Sequence, residues 1–274
     1  MKFLRNKKSV VLFMLLSTGL MLWVSCSTVP VTGRKQLAIV PSSTMLTMSF
    51  QEYDSFLKSH KLSSNQEQTA LVKRVGTNIQ KAVELYFQQQ KMSDQLKGYK
   101  WEFNLVESEE VNAWCMPGGK VVVYSGILPV TKTEAGLGVV LGHEIAHAIA
   151  EHGRERVSQG LLAQLGGMTL EQALSDKPEQ TRKLWLAAFG VGATVGAMLP
   201  YSRVQESEAD HLGLVFMAMA GYDPNEAVIF WERMAADKNK AAPPEFLSTH
   251  PSDQTRIKKI KERVPEAMQY YKKS

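Results

Sequence analysis

His143-Glu144-Ile145-Ala146-His147, inside the stretch Thr133–Gly153, decides how this chain is read. Residues four apart on a helix lie only about 40° apart around its axis, so both imidazoles face one way. Two neutral imidazoles side by side are half of a tetrahedral metal site, with zinc as the expected ion. Glu144 adjoins them where it can act on water without being a ligand itself. Leu137, Val139, Val140, Leu141, Ile145, Ala146, Ala148 and Ile149 make the segment apolar nearly all round, as in a buried helix. Titratable groups on so apolar a helix are costly unless paired or metal-bound, which weighs against a chance match. Thr131 with Glu134 three later resembles a capping box. Gly136 and Gly138 argue against the helix, at about 1 kcal/mol each relative to alanine.

Outward from this stretch, the N-terminus reads as targeting rather than fold. Lys2, Arg5, Lys7 and Lys8 precede an apolar run, Val10–Val24, shorter than the ~20 residues of a membrane-spanning helix. Residues 1–25 are therefore expected as a signal peptide. Cys26 follows at once and marks a lipidation site of the bacterial lipoprotein kind. Residues 26–41 are then a lipid-anchored tether and 42–274 one domain. Removing residues 1–25 takes away four positive charges and no negative ones, lowering the net charge from +5 to +1. The basic balance belongs to the targeting segment, and no nucleic-acid partner is expected. With Cys26 acylated, Cys115 is the remaining thiol, and an intrachain disulfide is excluded.

Ser42–His60 and Ser64–Gln90 carry helical periodicity. Trp101–Val106 alternates as a strand does, and Lys120–Tyr124 is a β-branched strand after the Gly118-Gly119 turn. Arg154–Gly166 continues the metal helix or forms a second one. Leu184–Leu199 is uncharged and dotted with glycine, a buried helix or a segment dipping into a membrane. Arg203–Ala220 is a helix, and another begins at Asp223-Pro224-Asn225-Glu226. Asp253–Lys273 is the C-terminal helix. The fold class is α+β, mainly α, with a small β-sheet beside the metal helix.

A catalytic zinc keeps three protein ligands and one open position. One extended motif places its third histidine six residues after the second, but Gly153 stands there. The ligand must come from elsewhere, and the best segment is Gln205–Asp210. Glu206 and Asp210 share a helix face, whereas Glu208 lies about 200° from Glu206. One of the two carboxylates can bind the metal, and the other can fix the tautomer of a ligand histidine. His152 lies about 140° from His147 around the axis and is expected to cap or pair locally.

Together, Asn112-Ala113-Trp114…Pro117-Gly118-Gly119, His143-Glu144-x-x-His147, Ser202-Arg203…Glu206-x-x-x-Asp210 and His250-Pro251…Arg256 resemble the BepA/HtpX-type zinc metallopeptidases, relatives of the CAAX prenyl proteases. The resemblance implies a zincin-like (gluzincin) domain with one Zn2+ on His143, His147 and Glu206. Asp210 would support the ligands, with Arg203 and Arg256 structural or site-supporting. It implies that His250 lies near the metal, stabilising the oxyanion or, in a resting state, taking the water's place. Glu144 would be the general base. Substrate is expected as an added strand along Lys120–Tyr124, at Val121, Val122 and Val123, with Asn112, Gly118 and Gly119 beside it.

The expected function is a zinc metalloendopeptidase of the bacterial cell envelope. It would act on misfolded or unassembled proteins from the periplasmic side of the outer membrane, anchored through Cys26. The alternative is a metal-binding assembly factor or chaperone whose proteolysis is latent.

Overall fold

The computed structural model describes residues 26–29, 32–165, 179, 183, 202–237, 246, 247, 250 and 254–271. The expected signal segment 1–25 and the uncharged stretch 184–199 lie outside them.

The metal helix, α3 (Glu134–Ile149), is the centre of the molecule. Its all-round apolar sequence is matched by burial of every residue from Gly136 to Ile149. Thr133, not Thr131, caps it: the Thr133 hydroxyl accepts from the Gly136 amide at 2.8 Å. Thr131 instead bonds back to Leu128 O within the preceding single turn, Leu128–Thr131. The two unexplained glycines now have a reason. A Cβ on Gly136 would stand 2.1 Å from Thr131 O, and one on Gly138 would press on the Tyr222 ring at 3.0 Å. These steric limits outweigh a helix-propensity cost of about 1 kcal/mol each.

Helices surround α3. α1 (Ser42–Ser59) buries Met45, Tyr53 and Phe56. α2 (Gln66–Gln89) starts at Asn65, whose side chain accepts from the Gln68 amide. Its inner stripe is Val72, Val75, Ile79, Val83 and Phe87, at the three- and four-residue spacing of an amphipathic helix. It packs on α3 and on the sheet. Past Ala150 the chain turns through Glu151, at φ 56°, and α4 (His152–Leu165) follows as a separate helix. α5 (Arg203–Met219) opens with a capping box between Ser202 and Gln205 and makes the most extensive contact with α3. α6 (Asn225–Asp237) and α7 (Gln254–Ala267) close the far side.

The three-stranded sheet has β3 (Glu102–Val106), β4 (Ala113–Met116) and β5 (Lys120–Tyr124) in the order β3-β5-β4. β3 runs parallel to β5 and β4 antiparallel to it. Gly118 (φ 83°) and Gly119 (φ 80°) make the β4–β5 turn, as a hairpin that needs positive φ demands. This order corrects the expected substrate strand. Val121, Val122 and Val123 belong to the middle strand, paired on both sides and fully buried. β4, which lies against α3, pairs on one side only among the described residues.

The described residues of 26–41 carry structure of their own. β1 (Cys26–Thr28) and β2 (Lys35–Leu37) form an antiparallel hairpin. Gln36 Nε2 donates to Ala150 O at 2.9 Å, at the end of α3. Ser158 Oγ accepts from the Ile39 amide, and Arg154 Nε donates to Val40 O. The hairpin is thereby docked on the start of α4. Cys26 pairs with Leu37 across it.

Candidate active site

His143 and His147 project from one face of α3 toward Glu206 on α5. Four groups meet there: His143, His147, Glu206 and His250 each offer an atom within 4.8 Å of the others, and all four are buried. His143 Nε2 lies 3.1 Å from His147 Nε2 and 3.1 Å from His250 Nδ1. Glu206 Oε1 lies 3.3 Å from His147 Nε2 and 2.9 Å from His250 Nδ1, and its Oε2 is 3.6 Å from His143 Nε2. Four ligand atoms held tetrahedrally at bonds of about 2.0–2.1 Å would stand roughly 3.3 Å apart. The donor set therefore fits a four-coordinate metal ion. Burial pushes His143 down and His147 well down from the ordinary histidine range, which keeps both imidazoles neutral, the form that ligates.

The supporting groups come from α5 and α7. His143 Nδ1 lies 3.0 Å from Asp210 Oδ1, one turn beyond Glu206. Arg256 reaches from α7 under both carboxylates. Its Nη1 donates to Glu206 Oε2 at 2.7 Å, and Nη2 and Nε donate to Asp210 at 2.8 and 2.9 Å. Its guanidinium lies 3.5 Å from the Trp231 ring centre. Burial alone would raise the pKa values of Glu206 and Asp210. The Arg256 charge, together with histidine contacts, outweighs it and lowers both, so both carboxylates stay ionised.

Glu144 is buried outside the four-group cluster. Its pKa is pushed up to about 7, chiefly by burial. Its Oε1 stands 3.3 Å from His250 Nε2. His250 thus bridges, through Nδ1 toward the cluster and Nε2 toward Glu144. Burial lowers its pKa, but the charges of Glu206 and Glu144 outweigh that and raise it. His250 is held from the side of the sheet: its amide bonds to Phe246 O, and the Phe246 amide bonds to Val111 O just before β4. The Phe246 ring packs on His250 at 4.7 Å between centres.

The structure does not bring every expected residue to this cluster. Arg203 is exposed in the first turn of α5, and its side chain makes no hydrogen bond or ion pair among the described residues. Placing a supporting role on it followed from motif order alone. Asn112 is buried, but its carbonyl accepts from the Tyr124 amide and its Oδ1 from the Ala113 amide. Gly118 and Gly119 lie against Phe50 and Trp101. All three serve the β-sheet. Cys115 is buried on β4, and burial raises its thiol pKa.

Other residues were missed. Trp231 and Phe246 flank His143 at 5.9 and 6.4 Å, and no local spacing joins them to the zinc motif. His152 pairs locally, with His147, as expected, but it also reaches Glu208 on α5, a contact the sequence did not suggest. His152 Nδ1 lies 2.9 Å from His147 Nδ1, and its Nε2 lies 3.3 Å from Glu208 Oε2. The helix angle misled because α4 is a new helix, so His152 does not follow the rotation of α3. A groove of about 470 Å³ opens beside His147 and Ile149, walled by Met45, Leu46, Leu96 and Tyr99.

Comparison with known proteins agrees with this geometry. The mitochondrial metalloendopeptidase OMA1 of Schizosaccharomyces pombe is 41% identical over 169 residues, covering 61% of this chain and 48% of the relative. That of Saccharomyces cerevisiae is 30% identical over 253 residues, covering 89% and 71%. The beta-barrel assembly-enhancing protease of Yersinia pestis is 30% identical over 168 residues, covering 60% and 34%. The chain spans about half the length of the S. pombe relative. The expected placement, a lipid-anchored protein on the periplasmic side of a bacterial outer membrane, is overturned, because the two yeast relatives are mitochondrial. No helix among the described residues is long and apolar enough to cross a membrane. The narrower BepA/HtpX-type assignment gives way to the family as a whole. The profile of peptidase family M48 matches residues 74–264, a span that includes β3–β5, the zinc motif, Glu206, His250 and Arg256, and the chain belongs to that family.

Proposed function

We propose that the chain is a zinc-dependent endopeptidase acting on unfolded or misassembled polypeptides. The observation that supports it best is Glu144: a buried carboxylate, next to His143 in sequence and outside the donor set, with its pKa near neutrality. In this reading His143, His147 and Glu206 hold the zinc, with Asp210 and Arg256 fixing their orientation. Zinc there supplies a Lewis acid that lowers the pKa of water to about 7 and polarises a carbonyl. Glu144 takes a proton from the attacking water and passes it to the leaving amine. Burial raises the pKa of Glu144, which favours its taking up a proton from water.

Substrate is placed on β4 (Ala113–Met116), the strand beside α3. Backbone pairing along an edge holds an extended peptide with little demand on its sequence, which suits a broad range of unfolded chains. The groove walled by Met45, Leu46, Leu96 and Tyr99 would take an apolar side chain of that peptide.

A second reading rests on His250. Its Nδ1 completes the four-donor set, and a fourth protein ligand leaves no open position for water. This arrangement is then a resting form, and hydrolysis requires His250 to withdraw.

The test is metal analysis of the purified protein together with cleavage of an unfolded protein, for wild type and Glu144→Ala. Near-stoichiometric zinc in both, with cleavage lost in the variant, is expected. Cleavage retained in the variant removes Glu144 from the mechanism, and absence of zinc from both removes the ligand set.

A further inference from the structure

His143 and His147 are fixed by different means. His143 has a carboxylate, Asp210, directly behind its Nδ1 at 3.0 Å. Behind His147 stands a second imidazole. His147 presents Nε2 to the donor cluster, so that nitrogen must carry the lone pair and Nδ1 the proton. The Nδ1 proton points at His152 Nδ1, 2.9 Å away. His152 Nδ1 must therefore accept, which leaves the His152 proton on Nε2. That nitrogen faces Glu208 Oε2 at 3.3 Å. A carboxylate only accepts, so each proton position along the chain is set by the group behind it.

The chain ends on the N-terminal hairpin. Arg34, next to β2, donates from Nε to Glu208 Oε2 at 2.6 Å. Its two Nη atoms grip Glu155 on α4 at 3.0 and 2.9 Å. The Thr32 hydroxyl donates to Glu208 Oε1 at 2.5 Å. Glu155 also accepts from Gln205, at the start of α5 beside Glu206, at 2.8 Å. His152 is fully buried, and Glu155, Gln205 and Glu208 are buried. Glu208 is held well below the usual carboxylate range, at about 2, by His152, Thr32 and Arg34 acting against burial. One guanidinium thus ties together the hairpin, α4 and the ligand-bearing end of α5.

We infer that Arg34, Glu208 and His152 are positioning residues that set the ligating tautomer of His147, so that docking of the hairpin at residues 26–37 tunes metal affinity. This rests on the zinc reading of the cluster. Without the Glu208 charge, the carboxylate that favours the His152 proton on Nε2 is lost. His152 can then carry it on Nδ1, facing His147, and His147 must take the tautomer whose Nε2–H points at the metal position. Glu208→Gln removes the charge and puts an amide NH2 in place of one of the two oxygens that accept from Thr32, Arg34 and His152. Arg34→Ala leaves the carboxylate and its Thr32 contact but removes the guanidinium that links it to Glu155. Loss of such outer supports typically costs about 10–100-fold in metal affinity.

The experiment uses the full chain and two readouts. Zinc affinity is measured by chelator competition for wild type, Glu208→Gln and Arg34→Ala. Histidine tautomers are read from two-bond proton–nitrogen NMR correlations of the zinc-loaded wild type. The expected result is protonation of His147 at Nδ1 and of His152 at Nε2. Affinity should fall about 10–100-fold in Glu208→Gln, with a smaller fall in Arg34→Ala. A His152 proton on Nδ1 in the wild type overturns the inference even if neither variant folds. Wild-type affinity in Glu208→Gln also overturns it while leaving the zinc reading intact. A wild type that binds no zinc overturns the zinc reading, and the relay with it.

Discussion

Gly142 on α3 and Gly213 on α5 meet backbone to backbone: a Cβ on Gly142 would stand 2.9 Å from Gly213 O, and one on Gly213 would stand 2.9 Å from the His143 amide nitrogen. This close approach sets Glu206 and Asp210, on the turns of α5 before Gly213, opposite His143 and His147. Gly142→Ala is expected to push the helices apart. Overpacking of this kind costs about 1–3 kcal/mol, and alanine returns roughly 1 kcal/mol through helix propensity. A net loss of up to about 2 kcal/mol in urea unfolding is expected, together with weakened metal binding. Unchanged stability and unchanged binding would show that the helix spacing tolerates a methyl group.

The zinc motif on a buried helix was legible because its signals are local. The imidazoles are four apart, and the apolar residues run round the axis. Glu206 and Asp210 were legible as a pair on one face for the same reason. The β4 edge was not, because alternation along Lys120–Tyr124 says that it is a strand and nothing about its place in the sheet. Two neighbours, β3 and β4, bury both its edges. His152 and Glu208 were lost for another reason. Helical angles relate residues only within one helix, and the chain breaks at Glu151, where φ is 56°. Glu208 does face away from Glu206, as the 100° step requires, but α4 and the hairpin cover that side and turn it into a buried site. Arg34 carries no motif at all, and its role follows from tertiary packing alone.

Metal removal should cost stability. Four donors and two supporting charges are buried together, and an ion bound only by the folded chain stabilises it by mass action. At free zinc about 1,000 times Kd the gain is ~4.1 kcal/mol. For a chain of this size that corresponds to roughly 8–16 °C in Tm. Calorimetry with and without a chelator, followed by zinc re-addition, measures it. An unchanged Tm in a chain shown to have lost its zinc would contradict the assignment of the cluster as a metal centre.

The start of α3 carries a pH-dependent contact. Glu134 accepts from Arg74 at 2.7 Å and from the Tyr222 hydroxyl at 3.0 Å. The Arg74 hydrogen bond in particular lowers its pKa below the usual carboxylate value. A carboxylate depressed in the folded state adds stability above its unfolded pKa of about 4.3 and loses it as pH falls through the lowered folded value. Glu134→Gln should therefore be less stable than wild type at neutral pH, with the gap closing in acid below that value. The pair is partly exposed, so the difference is small and shrinks with salt. Urea midpoints of both proteins at pH 7 and in acid would expose the idea as wrong if the gap stayed constant.

His250 separates an open catalytic centre from a resting one. Its Nδ1 lies 2.9 Å from Glu206 and 3.1 Å from His143, and its Nε2 is 3.3 Å from Glu144. In this position it would take the fourth place around a metal held by His143, His147 and Glu206, beside Glu144. His250→Ala leaves His143, His147 and Glu206 as a three-ligand set with an open position, the arrangement that catalytic zinc sites keep. The variant is expected to retain zinc, with affinity lowered by the missing donor, and to cleave an unfolded protein faster than wild type. A histidine that stabilised the oxyanion would give the reverse, a loss of about 10²–10³ in kcat, as when one oxyanion donor is removed. Single-turnover cleavage at saturating zinc distinguishes the two, because it reads the chemical step apart from metal occupancy. Faster cleavage assigns His250 to restraint, whereas a large loss with zinc intact assigns it to catalysis and removes the resting-form reading.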